Sequence, residues 1–451
     1  MSETIQEPAR DIPVIGHYDV LVVGGGPAGV CAALSAARSG ARTFLIEQFS
    51  CFGGMATAGL HQHIGVLMGE GGTPSIVGGI PYEIIDRAVR EWEADSKGCE
   101  THAVDPEVRP GRMVDVEIEG FKCCLDLMIE EAGVDFVLYS QFSDAIVRDG
   151  AVAGVYLNNK SGRFAVLAER TIDCTGDGQV AFSAGCRMMR GRPEDERMQP
   201  VTLMYRVGGI DREAVPVYRG SDPKLIAFCR KAAEKGLMRP WQSRLMGFWY
   251  NRHRPDQAGL NFTHMHLDGA DAFDLTRAAV EGRKQVQEAV HAMRTLIPGM
   301  ENSYLIDTAV MMGVRETRRI FGEYVLTAED IKAMKIFDDS IGLGSAFIDI
   351  HNTEGPGMDK KSGYHLPESG YYSIPYRTLV PESMNSLLVA GRCHSATHEA
   401  AGSTRWMAQC MVMGQAAGTA AALSVKEGLP PRKLDVAMLQ ETLRESGAIL
   451  K

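Results

Sequence analysis

The segment from Tyr18 to Glu47 constrains the fold of this chain more than any other stretch. It opens with Asp19 to Val23, a short apolar run rich in β-branched residues, as expected of a strand buried on both faces. The run leads directly into GGGPAG at 24–29, a G-x-G-x-x-G pattern, and then into an alanine- and leucine-rich stretch that predicts a helix over 30–39. Residues 42–46 predict a second strand. Together these signals predict the first strand–turn–helix–strand unit of a parallel sheet.

Each glycine of the pattern has a physical task. Gly24 permits the tight turn, Gly26 lets backbone N–H groups approach a pyrophosphate, and Gly29 lets the helix pack closely on the strand. The anion then lies at the positive end of the helix. Glu47 ends the second strand, where its carboxylate can accept both ribose hydroxyls of an adenosine. The segment therefore predicts a dinucleotide site, because an ordinary glycine-rich turn leaves Glu47 unexplained.

Composition bounds the other possibilities. The chain has 451 residues, so two domains are expected, and 45% hydrophobic with 23% charged residues is typical of a globular protein in water. The formal net charge of −10 argues against nucleic-acid binding and against docking on an anionic membrane surface. The ten cysteines lack metal-binding spacing and predict reduced thiols, and the N-terminus lacks a signal-peptide pattern. Residues 406–425 predict a buried helix rather than a membrane span. We expect a cytoplasmic protein without a metal.

After Glu47 the chain does not enter another regular unit but a glycine-rich segment, 53–79, that suits extended backbone beside a large flat ligand. Here, at Gly53-Gly54-Met55, it resembles the FAD-dependent oxidoreductases of the glutathione-reductase-like superfamily, closest to the fumarate-reductase-type flavoprotein branch. The resemblance implies that these three residues lie along the pyrophosphate and ribityl chain of FAD. It also implies that Ala56 to Leu60 runs beside the isoalloxazine ring.

Two later motifs carry the same resemblance. Thr175-Gly176-Asp177-Gly178, at the end of a strand, resembles the second nucleotide motif of the family, and the meander before it would bring Phe142 near the adenine. Gly391-Arg392 resembles the C-terminal FAD motif, although Arg392 stands where many relatives carry an aspartate that bonds the ribityl chain. A helix beginning near Thr404 would then aim its positive end at the pyrimidine edge of the flavin. The predicted cofactor-binding residues are Gly24, Gly26, Pro27, Ala28, Gly29, Glu47, Gln48, Gly53, Gly54, Met55, Phe142, Thr175, Gly176, Asp177, Gly391, Arg392 and Thr404.

The order of these motifs implies an α/β fold with a Rossmann-like FAD-binding domain of the glutathione-reductase type and an inserted α+β substrate or cap domain. The N-terminal part of the FAD domain would cover 1–199, the cap domain 200–370, and the C-terminal part 371–451. Within the first part, helices are predicted over 82–94 and 115–132, with a polar, proline-bearing loop over 97–111 between them.

The predicted catalytic residues are His398, His394 and Arg405. A histidine near flavin N5 can take a hydroxyl or amine proton as hydride leaves, and an arginine can hold a carboxylate with two hydrogen bonds. For His398, a role that only orders the loop is an equal alternative. Outside this set, Arg315 is the member of the 315–319 cationic cluster expected to face a cleft.

Two histidine pairs, His61-x-His63 and His264-x-His266, have spacings compatible with metal ligation. No companion cysteine or acidic motif supports a metal, so surface or pocket histidines are the preferred interpretation. His61 and His63 follow the predicted flavin-lining stretch, where they could contact substrate or carry a covalent flavin link.

The sequence thus predicts an FAD-dependent oxidoreductase that transfers hydride between a small polar metabolite and flavin N5. Two alternatives stay open: a fumarate-reductase-like enoate reductase or dehydrogenase on a carboxylic acid, and a flavin-fold binding protein without redox chemistry. No second G-x-G-x-x-G with an acid at ribose distance indicates a nicotinamide site, so the electron donor or acceptor is open between substrate, oxygen and a partner protein. The oligomeric state is also open, a homo-oligomer being one alternative.

Overall fold

The computed structural model describes residues 3–69, 74–92, 95–97, 113–251, 253–359 and 361–451. The strands within these ranges are β1 (Val14–Val23), β2 (Thr43–Ile46), β3 (His63–Gly65), β4 (Asp95–Lys97), β5 (Met113–Asp115), β6 (Asp135–Val137), β7 (Gln141–Arg148), β8 (Ala151–Asn159), β9 (Gly162–Asp173), β10 (Met188–Arg190), β11 (Tyr205–Gly208), β12 (Gly247–Tyr250), β13 (Ala258–Asn261), β14 (Tyr304–Thr308), β15 (Arg318–Ile320), β16 (Ser340–Gly344), β17 (Tyr372–Pro375) and β18 (Leu387–Val389). The α-helices are α1 (Pro27–Arg38), α2 (Gly79–Glu91), α3 (Ile118–Glu131), α4 (Gln179–Ser183), α5 (Ala214–Ser221), α6 (Ile226–Glu234), α7 (Ala272–Leu296), α8 (Ala328–Lys332), α9 (His398–Thr404), α10 (Met407–Lys426) and α11 (Val436–Glu445).

A mostly parallel sheet forms the centre of the molecule. Strands β6, β2, β1 and β9 lie side by side and parallel, and β18 pairs in parallel with the carboxyl end of β9. On that same side, β8 pairs antiparallel with the first half of β9 and leads to β7. The carboxyl ends of β1, β9 and β18 therefore lie together, which brings three distant pieces of the chain to one edge. This Rossmann-like arrangement confirms the predicted fold class.

Helices α1 and α10 pack on this sheet through small residues. Every residue from Ala408 to Ala422 is buried, and α1 is buried from Ala28 to Ala36. A Cβ at Gly414 would lie 2.0 Å from the Ala28 carbonyl oxygen, so glycine sets how closely the two helices approach. The prediction of a buried helix in this stretch is confirmed. Among the described residues, we find no helix with the length and apolar character that crossing a bilayer requires.

A second, antiparallel sheet lies in the middle of the chain. Its strand order is β12-β13-β11-β14, and it packs with α6 and α7 around a hydrophobic core of its own. That core includes Tyr205, Phe228 and Phe262, all fully buried. The presence of this second sheet fits the expected α+β insert, while the boundaries at 199 and 370 remain predictions.

A small three-stranded sheet, β3-β5-β4, was not anticipated from the sequence. The helix predicted over 115–132 begins only at Ile118, capped by the Glu117 carboxylate, because Asp115 is the last residue of β5. The polar loop predicted over 97–111 lies outside the described residues except for Lys97, which ends β4. Strand β3 of this sheet places His63 in the wall of the cavity described below.

Candidate active site

The glycine turn after β1 has the geometry that its pattern predicts. Gly24 has φ +100°, and a Cβ there would lie 2.6 Å from the Cys174 carbonyl oxygen. A Cβ at Gly29 would lie 1.7 Å from the Gly24 oxygen, so helix and turn touch there. At Gly26 the opposite holds: φ is −71° and a Cβ would meet nothing within 4 Å. The turn is therefore closed on the protein side and open at Gly26.

Glu47 is buried at the end of β2 and holds the turn. Its two carboxylate oxygens accept hydrogen bonds from the Gly25 N–H at 2.6 Å and the Phe49 N–H at 2.8 Å. Burial raises the pKa of this carboxyl, and the backbone hydrogen bonds act in the opposite direction. A carboxylate has about four acceptor positions, so about two remain for hydroxyl groups of a ligand. Whether Glu47 binds a ribose stays a prediction.

A cavity of about 700 Å³ opens from this turn toward the antiparallel sheet. The predicted cofactor-binding residues in its wall are Gly26, Pro27, Ala28, Gly54, Met55, Thr175, Gly176, Gly391 and Arg392. The others lie outside the wall: Gly24, Gly29, Glu47, Gln48, Gly53, Phe142, Asp177 and Thr404. The three motifs thus converge on one space, although contact with a cofactor remains predicted for each residue.

Arg392 links two of these motifs. Its Nη2 bonds the Asp177 Oδ1 atom at 2.7 Å, and the Thr317 hydroxyl donates to the same oxygen at 2.8 Å. Arg392 therefore has an ionic partner in the turn at 175–178. That ion pair ties the turn after β9 to the turn after β18.

Thr404 does not begin a helix, contrary to the prediction. It ends the short helix α9, and the long helix α10 begins three residues later at Met407 with Trp406 as its N-cap. The break falls at Arg405, the C-cap of α9, and Trp406, the N-cap of α10, directly after three weak helix formers, Gly402, Ser403 and Thr404. Trp406 and Met407 line the cavity, so it is the α10 N-terminus that faces this space.

His394 and His398 lie behind the cavity rather than in its wall. The His394 Nε2 atom is 2.7 Å from the Thr404 hydroxyl, and burial together with the nearby Arg319 charge lowers the pKa of His394 to about 3. The His398 Nδ1 atom lies 2.8 Å from the Glu316 carboxylate. A catalytic role for either histidine stays a prediction, but neither ring borders the open space.

The Glu316 carboxylate that holds His398 is itself buried in an ionic network. It also pairs with the buried guanidinium of Arg319, which donates to the Ala396 and Gly191 carbonyl oxygens. Burial raises the pKa of Glu316, but the hydrogen bond from His398 and the charge of Arg319 bring it below its ordinary value. The network joins three chain segments, and its hydrogen bond to Glu316 is enough to fix the position of His398 without a catalytic role.

Arg405 and Arg315 do face the cavity, as predicted for Arg315. The Arg405 Nη2 atom bonds the Asp349 carboxylate at 2.6 Å, whereas Arg315 donates only to the Pro200 carbonyl oxygen, at 2.6 Å, within the described chain. Burial and the neighbouring Arg405 charge lower the pKa of Arg315 to about 9, so the group is charged at neutral pH. Among the described residues Arg315 forms no ion pair within 4 Å, and the nearby Asp349 carboxylate, which acts on its charge, is bonded to Arg405.

The sequence did not predict that His351 lines the cavity, nor which residues surround His63 there. Burial and Arg315 lower the pKa of His351 to about 4, and its Nε2 lies 3.7 Å from Asp349. The sequence predicts His61 and His63 as possible substrate contacts. It does not predict that the Asp115 carboxylate and the Trp249 ring contact His63. Both His61 and His63 line the cavity. The described residues contain no cluster of three potential metal ligands.

Solved structures resemble this chain at low sequence identity. A geranylgeranyl bacteriochlorophyll reductase-like protein from Thermoplasma acidophilum has a TM-score of 0.46 at 14% identity, with 96% of this chain and 84% of that chain covered. The flavin-dependent brominase Bmp2 has a TM-score of 0.46 at 12% identity, covering 95% and 83%. Neither similarity specifies a substrate for this chain.

Sequence relatives match only in part. The tRNA uridine 5-carboxymethylaminomethyl modification enzyme MnmG of Campylobacter fetus subsp. fetus is 30% identical over 224 residues, which are 47% of this chain and 32% of that protein. The mitochondrial 5-taurinomethyluridine-[tRNA] synthase subunit MTO1 of Mus musculus is 39% identical over 85 residues, 17% of this chain and 13% of that protein. The chain therefore spans about a third or less of the length of these curated relatives. A family model described as FAD dependent oxidoreductase matches residues 19–443, nearly the whole chain, and the chain belongs to that family of FAD-dependent oxidoreductases.

Proposed function

We propose that this FAD-dependent oxidoreductase transfers hydride between flavin N5 and a carbon next to oxygen or nitrogen in a small polar metabolite. One observation carries the proposal: a single cavity runs from the dinucleotide turn at Gly26 to polar side chains such as Asn261 on the antiparallel sheet. The first end suits the cofactor and the second suits a substrate. FAD, when bound, supplies the hydride acceptor or donor.

The residues present fit FAD at the first end. Helix α1 begins after Gly26 without a side-chain cap, so its first N–H groups are free to bind a pyrophosphate. The open position at Gly26 leaves room for that group. A Cβ at Gly54 would lie 3.1 Å from the Gly26 Cα atom, so the two glycines lie side by side in the cavity wall. In this proposal the chain holds the cofactor between the turn after β1, the Gly54–Met55 segment and the Gly391–Arg392 turn.

At the other end the positive charges favour a metabolite that carries an anionic group. Arg315 is buried and forms no ion pair within 4 Å among the described residues, and the one carboxylate near it, Asp349, also pairs with Arg405 and His351. The two guanidinium groups thus share one carboxylate, and this excess of positive charge would hold a substrate carboxylate strongly. This observation supports the second candidate, a fumarate-reductase-like dehydrogenase or enoate reductase acting on a carboxylic acid.

We infer a small metabolite rather than an RNA substrate. The named tRNA-modifying relatives align with less than half of this chain, and a net charge of −10 disfavours binding to a phosphate backbone. The redox partner in this proposal is oxygen, a quinone or another protein, because no second dinucleotide pattern accompanies the first.

Anaerobic reduction of the purified holoprotein tests the proposal. L-lactate, L-malate, D-glycerate and L-alanine each carry a C–H bond next to oxygen or nitrogen, and at least one compound of this class should bleach the flavin absorbance. Fumarate should instead reoxidise the dithionite-reduced protein if the chain is an enoate reductase. Failure of all compounds of both classes would contradict the proposal.

A charge-matched pair of variants tests the anion. Arg315→Gln should raise the substrate concentration at half-maximal bleaching rate by about 10- to 100-fold, because a charged hydrogen-bond partner is lost. Arg283→Gln removes the same charge from an exposed position on α7 and should leave that concentration unchanged.

A further inference from the structure

His63 and Asp115 form a histidine–carboxylate pair at the edge of the cavity. The two residues face each other directly across the antiparallel strands β3 and β5. The His63 Nδ1 atom lies 2.6 Å from the Asp115 Oδ1 atom, and the side chains are 11% and 2% exposed. A carboxylate only accepts hydrogen bonds, so Nδ1 carries the hydrogen and the lone pair of the neutral ring is on Nε2.

The ring is held in place from a second direction. The Trp249 ring stacks on the His63 ring, with the ring centroids 5.3 Å apart and the ring planes inclined by 17°. The centroid of the Trp249 ring also lies 4.9 Å from that of His61. The carboxylate and the indole come from different sheets, so both must be folded for the histidine to take this orientation. Such double support is typical of a side chain that must be oriented accurately.

The His63 ring borders the cavity. His63, Gly65 and Trp406 all line it, and the His63 Nε2 atom is 3.4 Å from where a Cβ at Gly65 would be. The wall near Nε2 therefore includes Trp406, the N-cap of the helix whose N-terminus faces this space. In contrast, His398 lies outside the wall with its Nδ1 on the buried Glu316.

We propose that His63, oriented by Asp115, is the general acid–base residue of this oxidoreductase, a role that rests on the proposed function. For a substrate with an H–C–O–H unit, the O–H bond breaks and its proton goes to Nε2. The C–H bond breaks with its electron pair, the hydride goes to flavin N5, and a C=O bond forms. The substrate loses two electrons, FAD gains them, and Asp115 stabilises the imidazolium through the Nδ1 hydrogen bond. The chemical class of substrate is thus a hydroxy or amino compound whose O–H or N–H reaches Nε2.

The first test needs no substrate. Diethyl pyrocarbonate acylates reachable imidazole nitrogens, and peptide mapping by mass spectrometry locates the product. In the FAD-loaded protein His63 should react, and His394 and His398 should not. An unreacted His63 would overturn the proposal, because a substrate-sized molecule would then not reach Nε2.

The second test measures flavin bleaching by the compound that reduces the wild-type protein fastest in the screen above. His63→Gln should lower the rate at saturating compound by about 100-fold or more with FAD content unchanged. Asp115→Asn should also lower the rate, and Asp115→Glu should restore part of it by returning a carboxylate. His291→Gln, at an exposed position of α7, is the matched control and should change nothing. A His63→Gln rate within about threefold of wild type would overturn the role of His63.

The two proposals fail in different ways. If no compound bleaches the wild-type flavin, the proposed function fails, while the acylation pattern still decides whether His63 faces the cavity. If bleaching is fast but insensitive to His63→Gln, only the assignment of the acid–base residue is wrong.

Discussion

Gly26 shows at the level of one residue how the turn separates protein packing from ligand binding. Its φ of −71° is allowed for alanine, and a Cβ there would touch no protein atom within 4 Å. Gly26→Ala should therefore leave the melting temperature of the apoprotein within about 1 °C. It should weaken FAD binding by about 10-fold or more, because the methyl group occupies the space left for the pyrophosphate. Fluorescence quenching of FAD on titration with apoprotein measures the affinity.

Gly24→Ala is the comparison variant for this experiment. Its φ is +100° and its Cβ would lie 2.6 Å from the Cys174 carbonyl oxygen, so it should destabilise the apoprotein itself. Equal effects of the two substitutions on the apoprotein would contradict the division of tasks between the glycines.

The Glu316 carboxylate is the counter-charge of the buried Arg319 guanidinium. Glu316→Gln leaves the Arg319 guanidinium buried without its counter-charge, which should lower the free energy of unfolding by about 3 kcal/mol. Because the folded-state pKa of Glu316 lies below its ordinary value, its stabilising effect is present above about pH 4.5 and is lost as the pH falls further. Urea unfolding at pH 7 and at pH 4 should show a smaller difference for the variant than for wild type. Glu130→Gln, exposed on α3, should stay within about 0.5 kcal/mol of wild type.

Among the elements, those specified by neighbours in sequence were predictable and those specified by distant partners were not. The β1–α1–β2 unit follows from local signals alone, and its predicted strand and helix differ from the structure by a few residues at the ends. The β3–β5 pair joins residues 52 positions apart, and neither three-residue strand has a pattern of its own. For that reason Asp115 was assigned to a helix.

At the candidate site, too, residues placed by local sequence signals were predictable and residues oriented by distant partners were not. The turns at Gly26, Gly176 and Gly391 were placed at the cavity from sequence, because each follows a parallel strand whose carboxyl end meets the others. His394 and His398 lie close to the motif in sequence, but their bonds to Thr404 and Glu316 turn them away from the wall. No periodicity encodes such side-chain direction, since it depends on partners that arrive only with the tertiary fold.

Helices α1 and α10 pack closely against each other at Gly414 and Gly418. A Cβ at Gly414 or Gly418 would lie 2.0 or 2.2 Å from a carbonyl oxygen of α1. An alanine at either position would therefore force the two helices apart. Gly414→Ala and Gly418→Ala should each cost about 3 kcal/mol or more and lower the FAD content of purified protein. Gly220→Ala in α5, where a Cβ meets nothing within 4 Å, is the control and should be neutral or slightly stabilising. Thermal unfolding and the 450 nm absorbance of bound flavin measure both effects, and wild-type values for Gly414→Ala would show that the helices separate without penalty.

For the molecule as a whole, buried neutral histidines predict how stability depends on pH. Burial lowers the pKa of His264, His351 and His394 to about 2, 4 and 3, against an ordinary value of about 6.5. Between about pH 6.5 and 4 the unfolded chain binds protons that the folded chain does not, so stability falls as the pH falls. Each histidine adds up to about 1.4 kcal/mol per pH unit to that slope. The melting temperature should decline from pH 7.5 to pH 5, less steeply in His394→Gln than in the exposed control His291→Gln; equal slopes would rule out His394 as a contributor.

Because residues far apart in sequence line one cavity, FAD binding should protect them together. The wall combines the Gly26–Ala28 turn, the Gly54–Met55 segment and residues 391–392 and 405–407 of the C-terminal part. Amide hydrogen exchange should slow in all three when FAD is added to apoprotein, since a ligand that binds only the closed arrangement suppresses local opening of every part it touches. Peptides from the exposed side of α7 provide the internal reference and should not change. Protection confined to the Gly26–Ala28 turn would mean that the cofactor is held at its adenosine end alone, and the continuity of the cavity would then have no part in placing the flavin ring.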